Sequence, residues 1–100
     1  MSATANKGPS IGGVQFVLGM PKNGGGSEVQ SVVFDKANWT AAQARAWLKK
    51  WNLKSDEMRE TGDSYRFRQT DPGKYASFAT EAVRNVHHVM DASIRQAAKR

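Results

Sequence analysis

Three pieces of one stretch decide the fold: Gln30-Ser31-Val32-Val33-Phe34, then Thr40-Ala41-Ala42-Gln43-Ala44-Arg45-Ala46-Trp47-Leu48-Lys49-Lys50-Trp51, then Tyr65-Arg66-Phe67-Arg68-Gln69-Thr70-Asp71-Pro72. The first is a run of strand-favouring residues. In the second, Thr40 followed three residues later by Gln43 is a capping-box pattern. The hydroxyl accepts from the backbone N–H of the third helical residue, and the glutamine side chain reaches back to the cap's own N–H. Ala44, Trp47, Leu48 and Trp51 then fall at i, i+3, i+4 and i+7, one apolar face, with Gln43, Arg45, Lys49, Lys50 and Asn52 off it. Lys49, Lys50 and Lys54 lie near the C-terminal end, where the helix dipole favours each cation by ~0.3–1 kcal/mol at most, and the helix is expected to end near Asn52. The third piece alternates, with Tyr65 and Phe67 toward the core and Arg66 and Arg68 toward solvent. Asp71-Pro72-Gly73 closes it, because proline has no N–H for a ladder.

Outward from this stretch, Val14-Gln15-Phe16-Val17-Leu18 is a second short strand signal, expected to pair antiparallel with Glu28–Phe34 across a loop containing Pro21, Asn23 and Gly24-Gly25-Gly26. Strict alternation would put Val29, Ser31 and Val33 on one face and Gln30, Val32 and Phe34 on the other, so this strand packs on both sides or sits centrally. A weak strand signal over Glu57–Glu60, the turn residues Thr61-Gly62-Asp63-Ser64, and the Tyr65 strand together predict a hairpin. Beyond Tyr75 two readings stand. Ala79, Ala82, Val83, Val86, Met90, Ser93 and Ala97 follow a helical spacing without Gly or Pro, whereas the β-branched residues and the alternation of Val86, His88 and Met90 suit a strand.

The expected fold class is α+β: a small antiparallel sheet packed on one amphipathic helix, with an extended N-terminal arm and a basic C-terminal segment. Residues 1–13 form the arm, since their small, polar and glycine-rich composition offers little apolar area against an ordering cost of ~1–2 kcal/mol per residue. Residues 14–92 form one domain and residues 93–100 a basic tail. At 100 residues, 39% of them hydrophobic, the chain has room for one core. With no cysteine, neither a disulfide nor a thiolate metal site can hold it together. Apolar runs are far short of the ~20 residues of a membrane-spanning helix, and Met1-Ser2-Ala3-Thr4-Ala5-Asn6-Lys7 lacks the apolar centre of a secretory signal. A location in the host cytoplasm or in a virion is the expectation.

Val29 to Lys36, Trp39-Thr40 with Ala44, Trp47 and Leu48, and Tyr65 to Gln69 with Asp71-Pro72 resemble a small domain encoded by tailed bacteriophages and some large DNA viruses. The resemblance spans about residues 28 to 92. It implies a β-α-β-β-β arrangement, with Ser77-Phe78-Ala79-Thr80 and then Val86 to Met90 as the last strands, and a viral origin. It brings no assigned enzymatic activity and no binding residues.

Chemistry-bearing constellations are few. His87 and His88 are adjacent, and neighbours on a strand or a helix do not point the same way, so the two cannot chelate one metal. No nucleophile, base and orienting group can be read in order, and Gly24-Gly25-Gly26 is not followed by the lysine and hydroxyl of a phosphate-cradling loop. No enzyme activity, cofactor, metal or small-molecule substrate is therefore expected. Trp39, Trp47 and Trp51 could stack on bases, but tryptophans on the apolar face of a helix are more often the core itself.

Fifteen Lys and Arg against nine Asp and Glu leave a net charge of +6, which favours anionic partners. Lys49, Lys50, Lys54, Arg66, Arg68, Lys99 and Arg100 are the candidate contacts with nucleic acid or an acidic partner, and Ile11, Val14 and Phe16 the candidate assembly residues of the arm. The expected role is a non-enzymatic structural or interaction protein of a bacteriophage, a capsid-reinforcing or head-associated subunit contacting other viral proteins or copies of itself. The alternative is a small nucleic-acid-binding or host-takeover protein.

Overall fold

The computed structural model describes residues 12–83. The arm up to Ile11, His87, His88, the helix-or-strand alternative beyond residue 83, and the tail with Lys99 and Arg100 lie outside the described residues. Within them the elements run β1 (Val14–Pro21), β2 (Glu28–Asp35), α1 (Ala41–Lys50), β3 (Met58–Glu60), β4 (Ser64–Arg68), a 3-10 turn (Pro72–Lys74) and β5 (Tyr75–Ala82). The strands form one antiparallel five-stranded sheet in the order β3-β4-β2-β1-β5. An α+β fold of one small sheet and one helix is thus what the described residues adopt. The helical alternative fails over Tyr75–Ala82, where seven residue pairs run from Gln15↔Ala82 to Pro21↔Tyr75 along β1.

The helix begins as its capping box dictates. Thr40 Oγ1 accepts from Gln43 N at 3.1 Å, and Gln43 Oε1 accepts from Thr40 N at 3.0 Å. Its end is closed just as specifically. Asn52 adopts the left-handed conformation (φ 59), its N–H reaches Lys49 O at 3.1 Å, and Leu53 N–H reaches Leu48 O at 2.8 Å. This pair of bonds is a Schellman closure, with Leu48 and Leu53 both in the core as its hydrophobic contact.

Ala44 and Leu48 bury against Val14, Phe16, Val29, Val32, Phe34 and Phe67, with Leu18, Trp39, Trp47, Trp51, Met58 and Tyr65 packed around them. Phe34 is the aromatic hub, set edge-on to Trp39, Trp47 and Phe67 at 5.1–5.6 Å. The three tryptophans therefore belong to internal packing. Strict alternation in β2 is corrected by a bulge: Val17 pairs with Ser31 but Leu18 pairs with Val29, leaving Gln30 as the extra residue. Val29 thereby crosses to the face of Val32 and Phe34. The freed Gln30 carbonyl accepts from Gln69 N at 2.7 Å and Thr70 N at 3.3 Å, and its side-chain amide donates to Thr70 O at 3.0 Å.

Val14 and Phe16 are not arm residues. They are 1% and 0% exposed and lie in β1, which is hydrogen-bonded on both edges, so neither is available to a neighbouring molecule. Phe16 pairs with Val32 and Val14 with Phe34, the apolar partners that burial of the helix-facing side demands.

Candidate functional site

Alternation along β4 sends Tyr65 and Phe67 to the helix side and Arg66 and Arg68 to the other face of the sheet. The hairpin register adds a third guanidinium. Arg59 of β3 stands directly opposite Arg66, flanked by the pairs Met58↔Phe67 and Glu60↔Tyr65. On the other side of β4, Val33 and Ser31 of β2 stand opposite Arg66 and Arg68. Arg59, Arg66 and Arg68 thus line one groove of ≈ 620 Å³, together with Gln30, Ser31, Asp56, Glu57, Met58 and Pro72.

The charge balance within this groove is uneven. Arg68 has a loose ion pair with Glu57 at 3.9 Å between two half-exposed side chains, a contact that contributes at most about 1 kcal/mol. Among the described residues, no carboxylate pairs with Arg59 or Arg66. Two like charges directly opposite on neighbouring strands are destabilising, and among the described residues Asp56 and Glu57 border the groove without an ion pair to either Arg59 or Arg66. The arrangement can bind: two guanidinium forks, each able to grip a carboxylate or phosphate through paired N–H donors, face solvent side by side.

The floor and walls of the groove are firmly built. Ser31 Oγ donates to Gln30 Oε1 at 2.7 Å. Gln69, 2% exposed, accepts from Lys54 N at 2.8 Å and donates to Lys54 O at 2.9 Å, which ties the exit of the helix to the end of β4. Next to Gln30, whose side chain holds Thr70, the Tyr75 ring lies against Gly19, and its hydroxyl donates to the buried Glu28 carboxylate at 2.8 Å while also bonding Thr70. Lys74 Nζ meets the same carboxylate oxygen at 3.1 Å. Burial raises the Tyr75 hydroxyl above its ordinary value of 10.0; the Thr70 bond opposes this and Glu28 adds to it.

Of the residues expected to make a basic surface, the structure brings Arg66 and Arg68 together and separates them from Lys49 and Lys50. Lys49 and Lys50 are exposed in the last turn of α1, in the layer covering the opposite side of the sheet, and Lys50 sits 5.6 Å from the Trp51 ring. Lys54 is exposed on the loop after the helix, its backbone held by Gln69. Arg59 was the residue sequence reasoning passed over. The signal for it was present, because a hairpin turning at Thr61–Ser64 places residue 59 opposite residue 66.

Among the described residues, no three or more His, Cys, Asp and Glu side chains gather as a metal site, and no helix is long and apolar enough to cross a membrane. Comparison with protein-family models, curated proteins and solved structures returns no match. The likeness to the viral domain accordingly rests on the sequence motifs alone.

Proposed function

We propose that this chain is a non-enzymatic interaction domain of a bacteriophage, a capsid-reinforcing or head-associated subunit that holds an anionic partner against the arginine-bearing face of its sheet. The observation that carries the reading is the Arg59–Arg66 pair, opposite each other across β3 and β4 with no carboxylate among the described residues ion-paired to either. Such a pair costs the free protein stability, and an external anion offsets that cost. The viral setting comes from the motif resemblance. The partner is another viral structural protein or a second copy of the chain, and contact is made by the sheet face rather than by Val14 and Phe16, which are buried.

Mass spectrometry of purified particles tests this reading. The protein is expected in the particle, with incorporation lost in an R59Q/R66Q variant and kept in a K49Q/K50Q variant; particles without the wild-type chain end the proposal. Nucleic-acid binding is the second reading, favoured by the net charge of +6 together with these arginines. It requires an affinity for DNA or RNA that falls steeply with added salt, and absence of binding at low ionic strength removes it.

A further inference from the structure

We infer that the partner seated on this face is an acidic protein segment in extended conformation, with carboxylates on alternate residues. The inference rests on reading the arginine face as the docking surface, and it names what docks there.

Spacing is the first argument. Arg66 and Arg68 are two residues apart on one strand, so their side chains leave the sheet about 7 Å apart. An extended peptide repeats its own side chains on one face at that same interval, so acids at positions i and i+2 meet Arg66 and Arg68 in register. Arg59, across from Arg66, closes on the first of these carboxylates from the other side. Each contact is a fork of N–H donors on a planar carboxylate.

Composition of the groove is the second. Asp56 and Glu57 line it beside the arginines, a negative margin that repels a continuous polyanion but accommodates a peptide whose acids alternate with neutral residues. Sequence-independent binding of single-stranded nucleic acid uses aromatic faces on which bases stack, and the groove has none. Tyr65 and Phe67 face the helix. The exposed Phe78 lies on β5, three strand positions from β4, or about 14 Å away. The observations therefore favour a peptide over a nucleic acid.

Four fluorescein-labelled probes of equal length, measured by anisotropy at low ionic strength against the full chain, decide the matter. They are a peptide alternating glutamate with serine, a peptide of the same composition with its glutamates in one block, a peptide alternating glutamine with serine, and oligothymidylate. The alternating glutamate peptide is expected to bind best. R66Q and R59Q should each weaken it about tenfold or more, as loss of a charged hydrogen-bonding partner implies, while K49Q/K50Q leaves it within twofold. Circular dichroism of each variant confirms folding. Equal affinity for the block and alternating glutamate peptides overturns the extended register while leaving the anion-binding reading intact. Tighter binding of oligothymidylate overturns the peptide in favour of nucleic acid. If no anionic probe binds at all, the inference and the reading beneath it fall together.

Discussion

Gly19 and Tyr75 show how narrowly a single residue can be specified. A Cβ on Gly19 would lie 2.5 Å from Cγ of the Tyr75 ring, so only glycine lets the ring lie on β1 and deliver its hydroxyl to Glu28 and Thr70. G19A is expected to lift the ring and destabilise the protein by about 1–3 kcal/mol, the usual cost of overpacking, as a lowered urea midpoint. The same tyrosine makes stability depend on pH at the alkaline end. Its folded pKa is raised above 10.0, first by burial. The contribution is therefore complete below about pH 10 and is lost as pH climbs through the raised value, because the folded state must then hold a phenolate beside the Glu28 carboxylate. Urea midpoints between pH 8 and 11.5 should fall above pH 10 in the wild-type protein and fall less in Y75F; parallel curves would refute the assignment. Glycine and tyrosine were both visible in the sequence. Their pairing was not, because it joins Gly19 of β1 to the first residue of β5, 56 positions later in the chain.

The helix and the β3–β4 hairpin illustrate opposite extremes at the level of elements. Every determinant of the start of α1 is local: Thr40 and Gln43 satisfy each other's backbone donors whatever the rest of the chain does. T40A should therefore cost about 1 kcal/mol, within the 0.5–2 kcal/mol range for lost caps, and a thermal melt will measure it. The end near Asn52 was legible for the same reason, since the bonds that close it come from the next residues along. The hairpin carries the reverse kind of feature, an arrangement that lowers stability. Relief of the Arg59–Arg66 repulsion predicts that R66Q makes the free protein more stable by ~0.2–1 kcal/mol, even as it weakens anion binding. A destabilised R66Q would mean that the arginine is structural and would weaken the functional case.

Over the whole molecule, the sheet order separates what the chain's charges suggested belonged together. Because α1 covers one face, the lysines at its end cannot share a surface with Arg66 and Arg68 on the other. The same layering places Phe16 at the centre of the core, on β1 between β2 and β5. F16A should thus destabilise by about 3–5 kcal/mol in chemical denaturation; a stability near wild type would instead restore Phe16 to an assembly role. Sequence alone determined the capped helix, the strands over Val14–Leu18 and Glu28–Phe34, the hairpin, and the inward aromatics and outward arginines of Tyr65–Arg68, because each follows from backbone periodicity and short-range hydrogen bonding. Only the tertiary structure decided that β5 is a strand on β1, that the Gln30 bulge turns Val29 to the core, and that Arg59 joins Arg66 and Arg68 in one groove. These depend on which distant segments become neighbours, and strand pairing is a long-range choice that no local pattern encodes.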